Sequence, residues 1–140
     1  MCVEDSPEDL ETIQRAFKKV GMVNPMIHFE DGDEALDYLF RRDKYSDAGN
    51  NPLPNMILLD LNLPGTDGFE ILAEIKQDEK IKKIPVVVLT TSSDERDIEK
   101  CFQAGANSYI VKPVSFDGFV DAVKRLKDYW FSISVIPTNN

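Results

Sequence analysis

The chain has 140 residues, 42% hydrophobic and 29% charged, which suits one domain with a packed core. Its 16 Lys and Arg stand against 25 Asp and Glu, a formal net charge of −9, so it lacks the basic surface that grips nucleic-acid phosphates or anionic lipid. No apolar run approaches the length of a membrane span, and two cysteines without a secretory leader point to reduced thiols in a cytoplasm rather than a disulfide scaffold or zinc ribbon.

Met1-Cys2-Val3 is a short apolar run ending in Glu4-Asp5. A buried strand usually needs about four residues, so the natural start is expected upstream. Ser6-Pro7 opens a helix, with Leu10, Ile13, Phe17 and Val20 at helical spacing and Gly21 as its stop. Pro25 to Phe29 reads as a short strand, and Asp33 as the cap of a helix carrying Ala35, Leu36, Leu39 and Phe40. Residues 43–55 (DKYSDAGNNPLPN) read as a long surface loop.

Met56 to Leu59 is continuously apolar, as in a strand buried on both faces, and ends at Asp60. After a Pro-Gly loop comes a helix with Phe69, Leu72 and Ile75 on one face. Pro85 to Leu89 is β-branched and apolar, ending at Thr90-Thr91. Ser93 or Asp94 caps the next helix, with Ile98, Cys101 and Phe102 inward and Gly105 as its stop. Tyr109-Ile110-Val111 is the last strand, ending at Lys112-Pro113, and a final helix carries Phe116, Phe119, Val120, Val123 and Leu126.

Strands alternating with helices predict right-handed crossovers and a doubly wound α/β domain with a five-stranded parallel sheet. Ligands of such sheets bind at the carboxyl ends of the strands. There the chain places Glu4 and Asp5, then Asp60 and Asn62, then Thr90, then Lys112. Clustered carboxylates repel unless a cation sits among them, and an all-oxygen donor set suits Mg²⁺ or Ca²⁺. A Lys, a Thr hydroxyl and a metal around one carboxylate can stabilise a phosphoryl group on it. Asp60, ending the central strand, is the candidate acceptor.

Four segments carry a family resemblance: VEDS at 3–6, LLDLNLPGTDG at 58–68, TTSS at 90–93 and YIVKP at 109–113. In that order and spacing the chain resembles the receiver domains of two-component response regulators over nearly its whole length. The resemblance implies a flavodoxin-like sheet of order 2-1-3-4-5. It implies Asp60 as phosphoacceptor, Asp5 as direct Mg²⁺ ligand, Glu4 acting largely through metal-bound water, and the Asn62 backbone carbonyl on the metal. Thr90 would be the switch hydroxyl, Lys112 the phosphoryl-binding lysine, Lys112–Pro113 a cis peptide and Tyr109 the aromatic switch, while a small Thr91 leaves access to the site. The loop at 43–55, the segment LNLPGTDG and the aromatic C-terminal end are similar to the stand-alone receivers of cyanobacterial phytochromes. A sensor histidine kinase, of phytochrome type, is the implied phosphoryl donor.

Two other residues have plain readings. His28, the only histidine, lies in a short strand between Ile27 and Phe29 and is expected to be structural. Cys101 is expected to be a small buried hydrophobe. Residues 1–128 form the expected receiver domain. Residues 129–140, with Tyr129-Trp130-Phe131 and then Ile133, Val135 and Ile136, form an apolar extension expected, together with the last helix, to hold a homodimer. With no output domain expected in the chain, output would be a protein contact or a phosphorelay. Three alternatives stand beside this reading. A flavodoxin-like FMN carrier is opposed by the acids after the first strand. An Asp-nucleophile phosphatase is opposed by Asn62, where such enzymes place a second Asp. A degenerate scaffold is opposed by the complete acid, Thr and Lys set.

Overall fold

The computed structural model describes residues 1–22 and 25–133. Ten regular elements alternate: β1 (Cys2–Val3), α1 (Pro7–Lys19), β2 (His28–Phe29), α2 (Gly32–Leu39), β3 (Ile57–Leu59), α3 (Gly68–Gln77), β4 (Val86–Thr90), α4 (Glu95–Gln103), β5 (Ser108–Val111) and α5 (Phe116–Ile133). The five strands form one parallel sheet of order β2-β1-β3-β4-β5, the order the resemblance implies. Among the described residues no helix is long and apolar enough to cross a membrane.

The chain divides into two compact units. The first, Met1–Pro7 with Met26–Lys112, holds the sheet, α2, α3 and α4. β3 and β4 are buried along their whole length, as continuous apolar runs require in a parallel sheet. Val3, Leu59, Val86 and Val88 pack in one core with Ala35, Leu36 and Leu39 of α2 and Ile71, Leu72 and Ile75 of α3. Register sets the strand ends level. Val3 pairs with Leu59 and Leu59 with Val88, so Glu4 and Asp60 leave adjacent strands side by side.

Local chemistry sets the helix ends. Asp31, not Asp33, caps α2: its carboxylate accepts from the Asp33 amide at 2.8 Å, and Gly32 opens the helix. Asp67 and Asp94 cap α3 and α4 by accepting from Glu70 and Arg96 amides. Gly105, closing α4, sits at φ +107°, where a side chain would be strained. In α4 only Cys101 is buried, whereas Phe102 is 48% exposed. Adjacent helical residues are about 100° apart, so Phe102 cannot share the inward position that Cys101 occupies.

The loop after α2 is not featureless. It makes a 3₁₀ turn at Asp43–Tyr45, and Tyr45 stacks edge-on against Tyr38 and Phe29 at 5.2 and 5.9 Å. The Tyr38 hydroxyl donates to the Pro52 carbonyl at 2.6 Å, tying the loop's far end to α2. At the amino ends of the strands, the Lys76 ammonium donates to Ile84 O (2.8 Å), Lys82 O (3.0 Å) and Asn107 Oδ1 (3.1 Å). Burial pushes the Lys76 pKa down. Lys76→Met should cost about 1–2 kcal/mol in urea unfolding, since it removes the donor to the part-buried Ile84 carbonyl and the tie to Lys82 and Asn107, yet leave divalent-cation affinity unchanged.

The second unit, Glu8–Pro25 with Pro113–Asn140, is built on α1 and α5. Among its described residues, those buried are Ile13 and Ala16 of α1 and Phe119, Ala122, Val123 and Leu126 of α5. The Lys127 ammonium donates to Val20 O at 2.8 Å beyond the end of α1, and the Arg15 guanidinium lies 4.6 Å from the Phe116 ring centre. α5 runs on to Ile133, so Tyr129-Trp130-Phe131 lie within the helix rather than after it. No Gly or Pro stands between Gly118 and Pro137 to stop it. Val135 and Ile136, expected in the dimer contact, lie outside the described residues.

Candidate functional site

The site belongs to the first unit and is assembled at four strand ends. β1 delivers Glu4 and Asp5, β3 delivers Asp60, β4 ends in Thr90, and β5 leads into Lys112. The structure brings together the acids expected there. Each of Glu4, Asp5 and Asp60 offers a carboxylate oxygen, and these atoms all lie within 4.8 Å of one another. Glu4 and Asp60 are buried and Asp5 is exposed, so the cluster has one open side.

Lys112 sits between the two buried acids. Its Nζ is 2.8 Å from Glu4 Oε1 and 3.1 Å from Asp60 Oδ2, with the lysine side chain 7% exposed. The second oxygens are also held: Asp60 Oδ1 accepts from the Asn62 amide at 3.1 Å, and Glu4 Oε2 from the Ser6 amide at 3.2 Å. Thr90 is fully buried, and its hydroxyl oxygen accepts a long 3.5 Å bond from the Asn62 side-chain amide. The Lys112 backbone amide donates to Thr90 O at 2.6 Å, which fixes the β5 exit against the β4 exit. Lys112–Pro113 is trans, contrary to the expectation of a cis bond; the trans isomer is the lower-energy default for X–Pro.

Tyr109 lies in β5, half-buried, and its hydroxyl donates to Ser92 O at 2.9 Å, two residues past Thr90. Ser92 Oγ in turn donates to Asp97 Oδ2 at 2.7 Å, in the first turn of α4. Neither Ser92 nor Asp97 emerged as a candidate from the sequence, although a Ser beside a helix start is a recognisable capping signal.

Three ionised carboxylates against one ammonium leave two negative charges in a largely buried cluster. Burial, reinforced by the Asp60 charge and only partly offset by the Lys112 bond, pushes the Glu4 pKa up to about 7. The donors are hard oxygens, and a divalent cation would cancel the excess charge, so the residues present fit such an ion.

The Glu4 shift has a stability consequence. Unfolded Glu titrates at 4.5, so between that value and about 7 the folded protein keeps a proton that the unfolded chain gives up. Stability therefore falls as pH rises through this window, by on the order of 1–2 kcal/mol. Thermal unfolding in chelator should show a lower Tm at pH 8 than at pH 5.5. Mg²⁺ should recover most of the loss at pH 8, and Glu4→Gln should flatten the dependence.

A family model of the response regulator receiver domain matches residues 1–124. The chain belongs to the response-regulator receiver family. It is 41% identical over 130 residues to the probable methanogenesis regulatory protein FilR2 of Methanothrix harundinacea, covering 93% of this chain and 81% of that one. It is 38% identical over 137 residues to the response regulator Rcp1 of Synechocystis, covering 98% and 91%. The Mn²⁺-bound form of Rcp1 superposes with a TM-score of 0.86. The phosphorylated cyanobacterial phytochrome response regulator RcpA is 40% identical, with a TM-score of 0.88 over 97% of this chain and 95% of that one. As a receiver, the chain is a signalling protein with a divalent-cation site of the family's kind.

Proposed function

We propose that Asp60 accepts a phosphoryl group from a sensor histidine kinase in a Mg²⁺-dependent reaction, and that the phosphorylated chain signals through protein contacts. The observation that carries this reading is the placement of Lys112 Nζ 3.1 Å from Asp60 Oδ2, inside a cluster that also offers Glu4 and Asp5. An Asp60 oxygen attacks the phosphorus, an O–P bond forms, and the P–N bond to the kinase histidine breaks. Lys112 can pass from the carboxylate to a phosphoryl oxygen without leaving its place. Thr90 then donates its hydroxyl to a second phosphoryl oxygen, breaking its long bond with Asn62, and Tyr109 follows as the switch. Asp5, Asp60, the Asn62 carbonyl and, through water, Glu4 would hold Mg²⁺. The ion supplies positive charge for the phosphoryl oxygens. Water attack on the phosphorus returns Asp60 and inorganic phosphate, so the chain catalyses only its own phosphorylation and reset.

Similarity to the phytochrome response regulator RcpA supports a phytochrome-type kinase as donor. The apolar composition of residues 129–136 supports a homodimer built on the last helix and the C-terminal extension. A mass that stays monomeric across micromolar concentrations in sedimentation equilibrium would exclude the dimer.

Incubation with acetyl phosphate and Mg²⁺ should add the mass of one phosphoryl group to the wild type. Asp60→Asn, or wild type in chelator, should show none. A gain that survives Asp60→Asn would place the acceptor elsewhere and overturn the reading.

A further inference from the structure

We propose that His28 is a positioning residue for the divalent-cation site, acting through the backbone of Glu4. The proposal rests on the metal role of Glu4 and Asp5. The ladder between β1 and β2 runs from Cys2 N to Ile27 O (2.8 Å) and from Glu4 N to Phe29 O (3.0 Å). In a parallel ladder the next rung would be an amide of β2 donating to Glu4 O, and the spacing assigns it to Asp31. Asp31 is no longer in the sheet, because it caps α2. The imidazole of His28 takes that rung: its Nε2 lies 2.8 Å from Glu4 O. A carbonyl oxygen only accepts, so Nε2 carries the proton.

The bond matters because of what hangs from it. Glu4 is buried, so its carbonyl has little recourse to water. The torsion that orients this carbonyl also sets the direction of the next residue, Asp5, the exposed carboxylate of the cluster. The Glu4 amide and side chain are already tied to Phe29, Ser6 and Lys112. His28 adds the tie to the carbonyl, the one that leads directly into Asp5. The ring thus sets the Asp5 oxygen relative to those of Glu4 and Asp60 without touching the ion.

The test uses the full chain and Mn²⁺, with free ion followed by electron paramagnetic resonance and Mg²⁺ measured by competition. His28→Leu puts an apolar side chain in place of the imidazole and removes the donor, and should weaken Mn²⁺ binding by about tenfold. His28→Gln offers an amide N–H at a similar reach and should restore binding to within about threefold of wild type. Should His28→Leu fail to fold, His28→Asn replaces it, polar but too short to reach. A donor-less variant that binds Mn²⁺ within about twofold of wild type overturns the proposal, as does a Gln variant as weak as the Leu one. Wild type that binds no divalent ion would instead overturn the metal reading itself.

Discussion

Lys112→Ala should destabilise the metal-free protein by about 3 kcal/mol at pH 8 and slow phosphoryl uptake by about 100-fold or more. The stability effect follows from burial. Glu4 and Asp60 side chains are only 2% and 5% exposed, and both contact the one ammonium. Without it two carboxylates face each other with little water, and at pH 8 both are ionised in the unfolded chain. The folded protein can relieve the repulsion only by taking up a proton, which is unfavourable at that pH. The cost should therefore shrink towards pH 5.5, where Glu4 is already protonated at its pKa of about 7. Mg²⁺ should also reduce it. The kinetic effect is separate, since a donor aimed at developing charge is lost even when the fold is rescued by the ion. Lys112→Arg keeps the charge but not its compact shape, and should recover stability better than rate. Urea unfolding at two pH values and a mass time course separate the effects. A Lys112→Ala protein as stable as wild type at pH 8 would mean that the three side chains are not coupled as described.

Much of this geometry was legible in the sequence, for reasons that differ by residue. β3 and β4 are continuous apolar runs whose ends at Asp60 and Thr90 are abrupt, so the alternation of elements alone places those residues at one sheet edge. Glu4, Asp5 and Lys112 are ordinary by themselves and gain meaning from the same rule. The pairings were not legible. Lys112 meets Asp60 and Glu4 across 52 and 108 positions of sequence, and no local pattern encodes which carboxylate an ammonium will choose. His28 was read as structural, and its bond depends on where β2 leaves the sheet, which the Asp31 cap decides. Phe102 was placed inward because its hydrophobicity fits a stripe, yet the helix offers its inward position to Cys101. β2 was expected from Pro25, but only His28 and Phe29 pair as a strand. The end of α5 was misplaced because aromatic residues after a charged turn look like a tail, although no breaker separates them from the helix.

Gly68→Ala should be the most damaging single-methyl change near the site, costing about 3 kcal/mol and slowing phosphorylation by about tenfold or more. Gly68 opens α3, and its amide donates to Leu61 O at 3.1 Å, which docks the helix start on the acceptor segment. A Cβ there would lie 2.5 Å from Leu61 Cα and 2.6 Å from Asp60 O. Both are backbone atoms, so no rotamer change relieves the overlap. Either α3 or the Asp60–Leu61 segment must move. Ala is the better helix former by up to about 1 kcal/mol, too little to offset the clash. Gly32→Ala provides the contrast. Its Cβ would meet Ile71 Cδ1 at 2.7 Å and Cγ1 at 2.9 Å, also too close, but these are side-chain rather than backbone atoms. The whole Ile71 side chain must shift, but the acceptor backbone need not, so that variant should lose about 1–2 kcal/mol while its rate stays near wild type. The acceptor carboxylate is held by Asn62 on one oxygen and Lys112 on the other, so a displacement of its backbone misaligns both at once. Urea midpoints and phosphorylation rates for the two variants decide the matter. If Gly68→Ala is no worse than Gly32→Ala in either measure, the close docking of α3 on the acceptor strand does not control the geometry of Asp60.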